Sequence, residues 1–82
     1  MIDKFIKYIN DIGFDSPKNM TDSTAHSSYG FYWIIISNNT YYSLYRLGMV
    51  QFTANIHDLK PLQNIFKKEL RSIKLKNILK NG

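Results

Sequence analysis

The absence of cysteine is the strongest constraint on how this chain of 82 residues can fold. A chain this short buries only about 60% of the surface that its unfolded form exposes, so small domains often depend on disulfides or a structural metal. Without cysteine, neither a disulfide framework nor a cysteine-based zinc site can form. The fold must therefore depend on its hydrophobic core, for which an apolar fraction of 44% is sufficient.

We expect a single domain over residues 1–82, because the chain is too short for a second core. The first residues, 1–5, lack the continuous apolar stretch of a signal peptide. The longest apolar run covers residues 31–36, far short of the ~20 residues that a membrane-spanning helix needs. The sequence therefore predicts a cytoplasmic protein without a membrane partner.

Residues 2–12 are predicted to form an amphipathic helix. Apolar side chains recur on one side at three- and four-residue spacing, namely Ile2, Phe5, Ile6, Ile9 and Ile12. Gly13 is expected to end the helix in a left-handed conformation, with Phe14 as the hydrophobic contact of the cap. Residues 14–28 are polar and aperiodic, and they predict a long surface loop.

Residues 29–55 are rich in aromatic and β-branched side chains and predict a three-stranded antiparallel meander. Asn38–Asn39 suits a two-residue type I′ turn, because asparagine tolerates positive φ. Residues 46–48 suit a three-residue turn with Gly48 in the left-handed position.

These two turns set the strand pairing, and so decide which side chains share a face of the sheet. Trp33 would pair with Leu44, and Leu44 with Val50. The face predicted for the core then holds Phe31, Trp33, Ile35, Tyr42, Leu44, Val50, Phe52 and Ala54. The outer face holds Tyr32, Ile34, Ile36, Tyr41, Ser43, Tyr45, Met49, Gln51 and Thr53.

A last helix is predicted to begin after Asp58, a suitable N-cap, with Pro61 in its first turn. Its apolar stripe consists of Leu59, Leu62, Ile65, Phe66, Leu70 and Ile73. Beyond Ile73 the apolar residues leave this stripe, so residues 75–82 are predicted to bend away or to form a separate C-terminal tail. The order of helix, three strands and helix predicts an α+β fold, a two-layer sandwich with both helices on one sheet face.

The sequence contains no set of residues that predicts catalysis. His26 and His57 have neither cysteine nor a second histidine at the spacing of metal ligands. Ser23, His26 and Asp22 could be combined into a triad, but they lie in the polar loop without a glycine-supported nucleophile turn. We therefore expect no enzymatic activity, no metal and no cofactor.

Two surfaces are candidates for binding, and the first is the outer face of the sheet. The residues predicted to form a protein interface there are Tyr32, Ile34, Tyr41, Tyr45 and Met49. An apolar, tyrosine-rich patch left in water is typical of an interface with another protein or with a second copy of the chain. The alternative is that the polar loop or the C-terminal tail covers this face.

The second surface is the basic side of the last helix. From residue 60 onwards seven Lys and Arg residues accompany one Glu, in a chain of net charge +5. The candidates for binding nucleic acid or an acidic protein surface are Lys60, Lys67, Lys68, Arg71 and Lys74. The alternative is an ordinary solvated helix face.

Together these features predict a small non-enzymatic binding protein. Small proteins of phages and other mobile elements often combine short length with adhesive surfaces and no catalytic set. They act by occluding a site on host machinery, as anti-CRISPR proteins do. We expect an inhibitor of this class, with a host protein or nucleoprotein complex as partner and a homodimer as a further option. The alternative is a small nucleic-acid-binding protein that uses the basic helix.

Overall fold

The computed structural model describes residues 2–72, and within them the chain forms an α+β fold. Its elements are helix α1 (Ile2–Ile12), strands β1 (Lys18–Asn19), β2 (Thr24–Tyr29), β3 (Tyr32–Ser37), β4 (Tyr41–Arg46) and β5 (Met49–Asn55), and helix α2 (Lys60–Ile65). A further helical segment covers residues 67–72. The strands form one antiparallel sheet in chain order. The α+β class is confirmed, and five strands replace the predicted three.

Two of the predicted features, the tail over residues 75–82 and the candidate site residue Lys74, lie outside the described residues. Within residues 2–72, no helix has both the length and the apolar character needed to cross a membrane.

Helix α1 forms as predicted and turns one stripe of side chains into the core, namely Phe5, Ile9 and Ile12. It ends at Gly13, whose φ is 137°, and the N–H of Phe14 donates to the carbonyl of Ile9 at 2.9 Å. A Cβ at Gly13 would lie only 2.7 Å from the ring of Tyr29. Glycine is therefore required both by the turn and by the close approach of α1 to β2.

The loop predicted over residues 14–28 is wrong, because this segment contains β1 and all of strand β2 except its last residue, Tyr29. Ser27 of β2 is fully buried, and its hydroxyl lies 2.9 Å from the carboxylate Oδ1 of Asp15. The backbone N–H of Ser28 donates to the same oxygen at 3.0 Å. The hydrogen bond from Ser28, and after it that from Ser27, lowers the pKa of Asp15. A polar strand is stable here because its buried hydroxyl has a partner.

The turn between β3 and β4 holds one residue more than predicted. Asn38 and Asn39 take positive φ values of 52° and 54°, and the N–H of Thr40 donates to the carbonyl of Ser37 at 3.0 Å, as in a type I′ turn. Ser37 nevertheless pairs with Tyr41 and not with Thr40. Because side chains alternate between the two faces, this shift of one residue reverses the faces of β3 relative to β4.

The predicted pairing of β3 with β4 is therefore wrong. Leu44 pairs with Ile34 instead of Trp33, and Ile34 is fully buried. Four residues predicted for the core lie outside it, namely Phe31, Trp33, Ile35 and Val50. On β3, the inner side chains are instead Tyr32, Ile34 and Ile36.

The turn between β4 and β5 is one residue shorter than predicted. Leu47–Gly48 alone connects the two strands, with φ values of 51° and 81°. Val50 then pairs on the outer face, Gln51 is left over in a β-bulge, and Phe52 returns to the inner face. The bulge explains why Phe52 joins the core as predicted although Val50 does not.

Both helices pack on the inner face of the sheet and share one core with it. Its buried members are Phe5, Ile9, Ile12, Phe14, Ile34, Ile36, Tyr42, Leu44, Ile56, Leu62 and Phe66. The ring of Tyr42 lies 4.6 Å from that of Phe5, and its hydroxyl donates to the backbone carbonyl of Asp58 at 2.7 Å. Burial, reinforced by the Asp58 carboxylate, raises the pKa of Tyr42. This side chain thus joins the sheet, α1 and the segment before α2.

Helix α2 begins two residues beyond the predicted N-cap Asp58. Leu59 occupies the N-cap position, although Oδ1 of Asp58 still accepts a hydrogen bond from the N–H of Lys60 at 3.3 Å. The helix is interrupted at Phe66, whose buried ring lies 4.8 Å from that of Tyr32. The predicted continuous helix is therefore two segments with a core residue between them.

Replacing Ile34 with Ala should lower the free energy of unfolding by about 2–5 kcal/mol, because it opens a cavity in the core. Ile35→Ala is the matched control, since it removes the same atoms one residue further along on the outer face. We expect it to lower the free energy of unfolding by about 1 kcal/mol. Urea unfolding of both variants measures the difference. Equal losses, or a larger loss for Ile35→Ala, would place the opposite face of β3 in the core.

Candidate functional site

The turns at the two ends of the sheet differ in chemical character. At one end, the β1–β2 turn presents Met20 followed by polar residues over 21–23, and the β3–β4 turn presents polar residues over 38–40. At the other end, the β2–β3 turn presents Phe31 and the β4–β5 turn presents Leu47. Turn residues usually lie in water, where polar side chains serve them well. Large apolar side chains in two neighbouring turns therefore need an explanation other than folding.

Five large apolar side chains are exposed together at this second end. The exposed fractions are 71% for Phe31, 38% for Trp33, 65% for Leu47, 71% for Met49 and 56% for Val50. We call these five residues the apolar end. Apolar side chains exposed singly are normal on a protein surface, whereas a contiguous group usually marks an interface.

Backbone hydrogen bonds hold the apolar end together. The N–H of Leu47 donates to the carbonyl of Phe31 at 3.0 Å, so the two turns lie side by side. Cross-strand pairing extends the surface onto the outer face, where Trp33 lies beside Tyr45 and Tyr45 beside Val50. The two turns thus lie side by side, and Trp33 and Val50 continue from them on the outer face, while Met49 pairs with Arg46 on the opposite face.

Leu47 adopts a backbone conformation that leucine rarely takes. Its φ of 51° lies in the left-handed region, which costs a residue with a Cβ roughly 1–2 kcal/mol. The β3–β4 turn uses Asn38 and Asn39 for the same positive φ, and asparagine tolerates it much better. The chain thus places a strained and exposed leucine where an asparagine would suit the turn. Strain of this kind is concentrated at functional sites.

The structure divides the predicted outer-face interface. Met49 is exposed at the apolar end. Tyr41 and Tyr45 both lie on the outer face but at opposite ends of β4, about 14 Å apart at the rise of a strand. Between them, the hydroxyls of Ser43 and Thr53 form a hydrogen bond of 2.8 Å. The two tyrosines therefore do not form one continuous patch.

Tyr32 and Ile34 do not belong to the exposed surface, and this part of the predicted interface is corrected. Ile34 is fully buried, and Tyr32 packs against Phe66 on the inner face. The extra residue in the β3–β4 turn is the cause, because it exchanges the two faces of β3. Trp33 and Ile35 occupy the outer positions instead. The polar segment that the alternative placed over this face as a loop instead extends the sheet at its edge.

The predicted basic residues that the structure describes are all exposed. They are Lys60, Lys67, Lys68 and Arg71. The interruption at Phe66 separates Lys60, in the first turn of α2, from the other three in the following segment. The basic surface is therefore not one continuous helix face.

One concave site lies between the polar turns, away from the apolar end. A depression of about 460 Å³ between the polar turns is lined by Asn19, Asp22, Ser23, Thr24, Ala25, Asn38 and Asn39. Asp22 and Ser23 line it but His26 does not, because His26 packs edge-on against Trp33 with 5.5 Å between the ring centroids. Across residues 2–72, no three His, Asp or Glu side chains gather as they would around a metal ion.

Sequence reasoning missed Phe31, Trp33, Leu47 and Val50 as surface residues. Phe31, Trp33 and Val50 were predicted for the core, and the predicted three-residue turn treated Leu47 as an ordinary connector. One available signal was the dipeptide Leu47–Gly48. Its glycine fits a two-residue turn with positive φ at both positions, but its leucine does not favour that conformation.

Comparison with known protein families, curated proteins and solved structures finds no match.

Leu47→Asn should raise the free energy of unfolding by about 1 kcal/mol, because asparagine accepts the left-handed conformation and forms the favoured Asn–Gly turn. Leu47→Ala is the control, since it removes the exposed side chain while the remaining Cβ keeps the strain. Urea unfolding measures both. If Leu47→Asn is no more stable than Leu47→Ala, the turn stores no strain.

Proposed function

We propose that this chain is a small non-enzymatic binding protein that docks on another protein through its apolar end. The observation that supports this most directly is the contrast between the two ends of the sheet. Apart from Met20, the turns at one end are polar, whereas Phe31 and Leu47 project in adjacent turns at the other. Apolar and aromatic side chains in such positions resemble the central residues of protein interfaces.

The shape of the apolar end suggests how such binding would act. Two turns at the end of a sheet project from it, so they fit a concave apolar site on a partner. Functional clefts in proteins are concave and largely apolar. Insertion of the apolar end into such a cleft would exclude the partner's own ligand. This is the action of an inhibitor that occludes host machinery, which is the class expected for a small phage or mobile-element protein.

Nucleic-acid binding is the second candidate, and the exposed Lys67, Lys68 and Arg71 favour it. Aromatic side chains that stack on bases normally accompany such cations in single-strand binding sites. The apolar end does contain two aromatic rings, Phe31 and Trp33. Its other three members, Leu47, Met49 and Val50, have aliphatic side chains without a flat surface for stacking. We therefore place protein binding first.

Phe31→Ser combined with Leu47→Ser should abolish capture of the partner from cells that make this protein, because it removes both projecting apolar side chains. The thermal midpoint should stay within a few degrees of the wild type, since both side chains are exposed. Affinity capture with and without nuclease, together with thermal melts, measures both properties.

The matched control is Met20→Ser with Tyr41→Ser, which removes two exposed apolar side chains away from the apolar end. This variant should capture the partner as the wild type does. Loss of capture in the control alone would move the interface to the polar end or to Tyr41. Capture that disappears with nuclease would favour the nucleic-acid candidate.

A further inference from the structure

The basic residues that follow Phe66 lie beside the apolar end. The ring of Phe66 packs 4.8 Å from that of Tyr32 and 6.1 Å from that of Tyr29. The hydroxyl of Tyr29 also lies 3.3 Å from the Glu69 carboxylate and donates to it. Because Tyr29 and Tyr32 flank the turn that presents Phe31, these contacts fix the helical segment over residues 67–72 next to that turn.

This segment turns its cations away from the sheet. Glu69 and Leu70 are half-buried against the sheet, while Lys67, Lys68 and Arg71 are exposed. Arg46 adds a fourth cation at the same end, since it is the cross-strand partner of Tyr32. The apolar end is therefore bordered by positive charge on its helix side.

The charge of the described residues is concentrated at this end. Four cations lie here with two acids, Glu69 and Asp15, which leaves a net charge of +2. Both acids already accept hydrogen bonds, Glu69 from Tyr29 and Asp15 from Ser28. The rest of residues 2–72 holds four Lys and four Asp and is neutral.

From this arrangement we infer that the protein partner is acidic: its apolar depression is bordered on one side by carboxylates that meet Lys67, Lys68, Arg71 and Arg46. This inference rests on the proposed docking function and adds the chemistry of the partner. Complementary charges at the rim of an interface mainly accelerate association and select the partner, while the apolar centre supplies most of the affinity.

A protein fits these observations better than a lipid surface does. The cations lie on the helix side of the apolar end, whereas the outer-face side presents Trp33, Tyr45 and the Ser43–Thr53 hydrogen bond. A folded protein has charges at fixed positions, so its surface can match such a one-sided arrangement. An anionic membrane attracts cations wherever they face it, so one-sided charge offers no advantage there.

The test selects a displayed library of random twelve-residue peptides on the intact protein and measures the affinity of the recovered peptides. We expect peptides in which Asp and Glu accompany Leu, Phe or Trp. Their affinity should fall by about tenfold between roughly 50 mM and 500 mM salt, because rim charges are screened. A similar loss is expected at low salt for the variant with Lys67→Glu, Lys68→Glu and Arg71→Glu.

The control variant carries Lys4→Glu, Lys7→Glu and Lys18→Glu, which changes the net charge equally in the neutral part of the molecule. It should bind the peptides like the wild type. The recovered peptides could instead be apolar without acidic residues, with binding that is lost on Leu47→Ser but unaffected by salt. That result would overturn the acidic partner and leave the docking function intact. Peptides whose affinity is unchanged by Phe31→Ser and Leu47→Ser would overturn both the acidic partner and the docking function. Stronger binding to phosphatidylserine vesicles or single-stranded DNA than to any peptide would also overturn the inference.

Discussion

The pairing of Ile34 with Leu44 across β3 and β4 determines the rest of the structure. Both side chains are fully buried, and their neighbours two residues along follow them to the inner face by alternation. Tyr42 then meets Phe5 of α1. The same pairing sends Trp33 outward. The register of β3 against β4 thus determines both the core and the candidate site.

One unpaired residue, Thr40, is responsible for that register. The type I′ geometry of Asn38 and Asn39 could be predicted, because asparagine is suited to positive φ. The length of the turn, three residues between the paired Ser37 and Tyr41, could not be predicted. The run over residues 31–36 is apolar on both faces, with Phe31, Trp33 and Ile35 alternating with Tyr32, Ile34 and Ile36. When both faces are apolar, hydrophobic pattern cannot choose between them, and turn length decides.

Helix α1 was predictable because its apolar stripe and Gly13 are local features. Strand β2 was not, because it lacks the apolar alternation of a half-buried strand. Its one fully buried side chain, Ser27, is satisfied by Asp15, twelve residues earlier in the chain. A contact between such distant polar residues has no periodicity to detect. Similarly, no proline or glycine marks the break at Phe66, whose ring packs against Tyr32.

The candidate site was predictable only in part, for the same physical reason. The expectation of an exposed apolar surface on the sheet depended on composition, and the exposed Met49 and Tyr41 agree with it. The identity of its central residues depended on register, so Ile34 was misplaced and Trp33 was missed. Identification of Leu47 depends on turn length as well, because its backbone strain exists only in a two-residue turn. Sequence reasoning thus placed Met49 and Tyr41 in water correctly and placed the residues of β3 one position out of phase.

Nuclear Overhauser effects between backbone protons of β3 and β4 test this register most directly. In isotope-labelled protein, the account predicts cross-strand contacts that join Ile34 to Leu44 and Ile36 to Tyr42 as directly opposed pairs. Contacts that instead oppose Trp33 to Leu44 and Ile35 to Tyr42 would contradict it. That result would return Trp33 to the core and remove it from the apolar end.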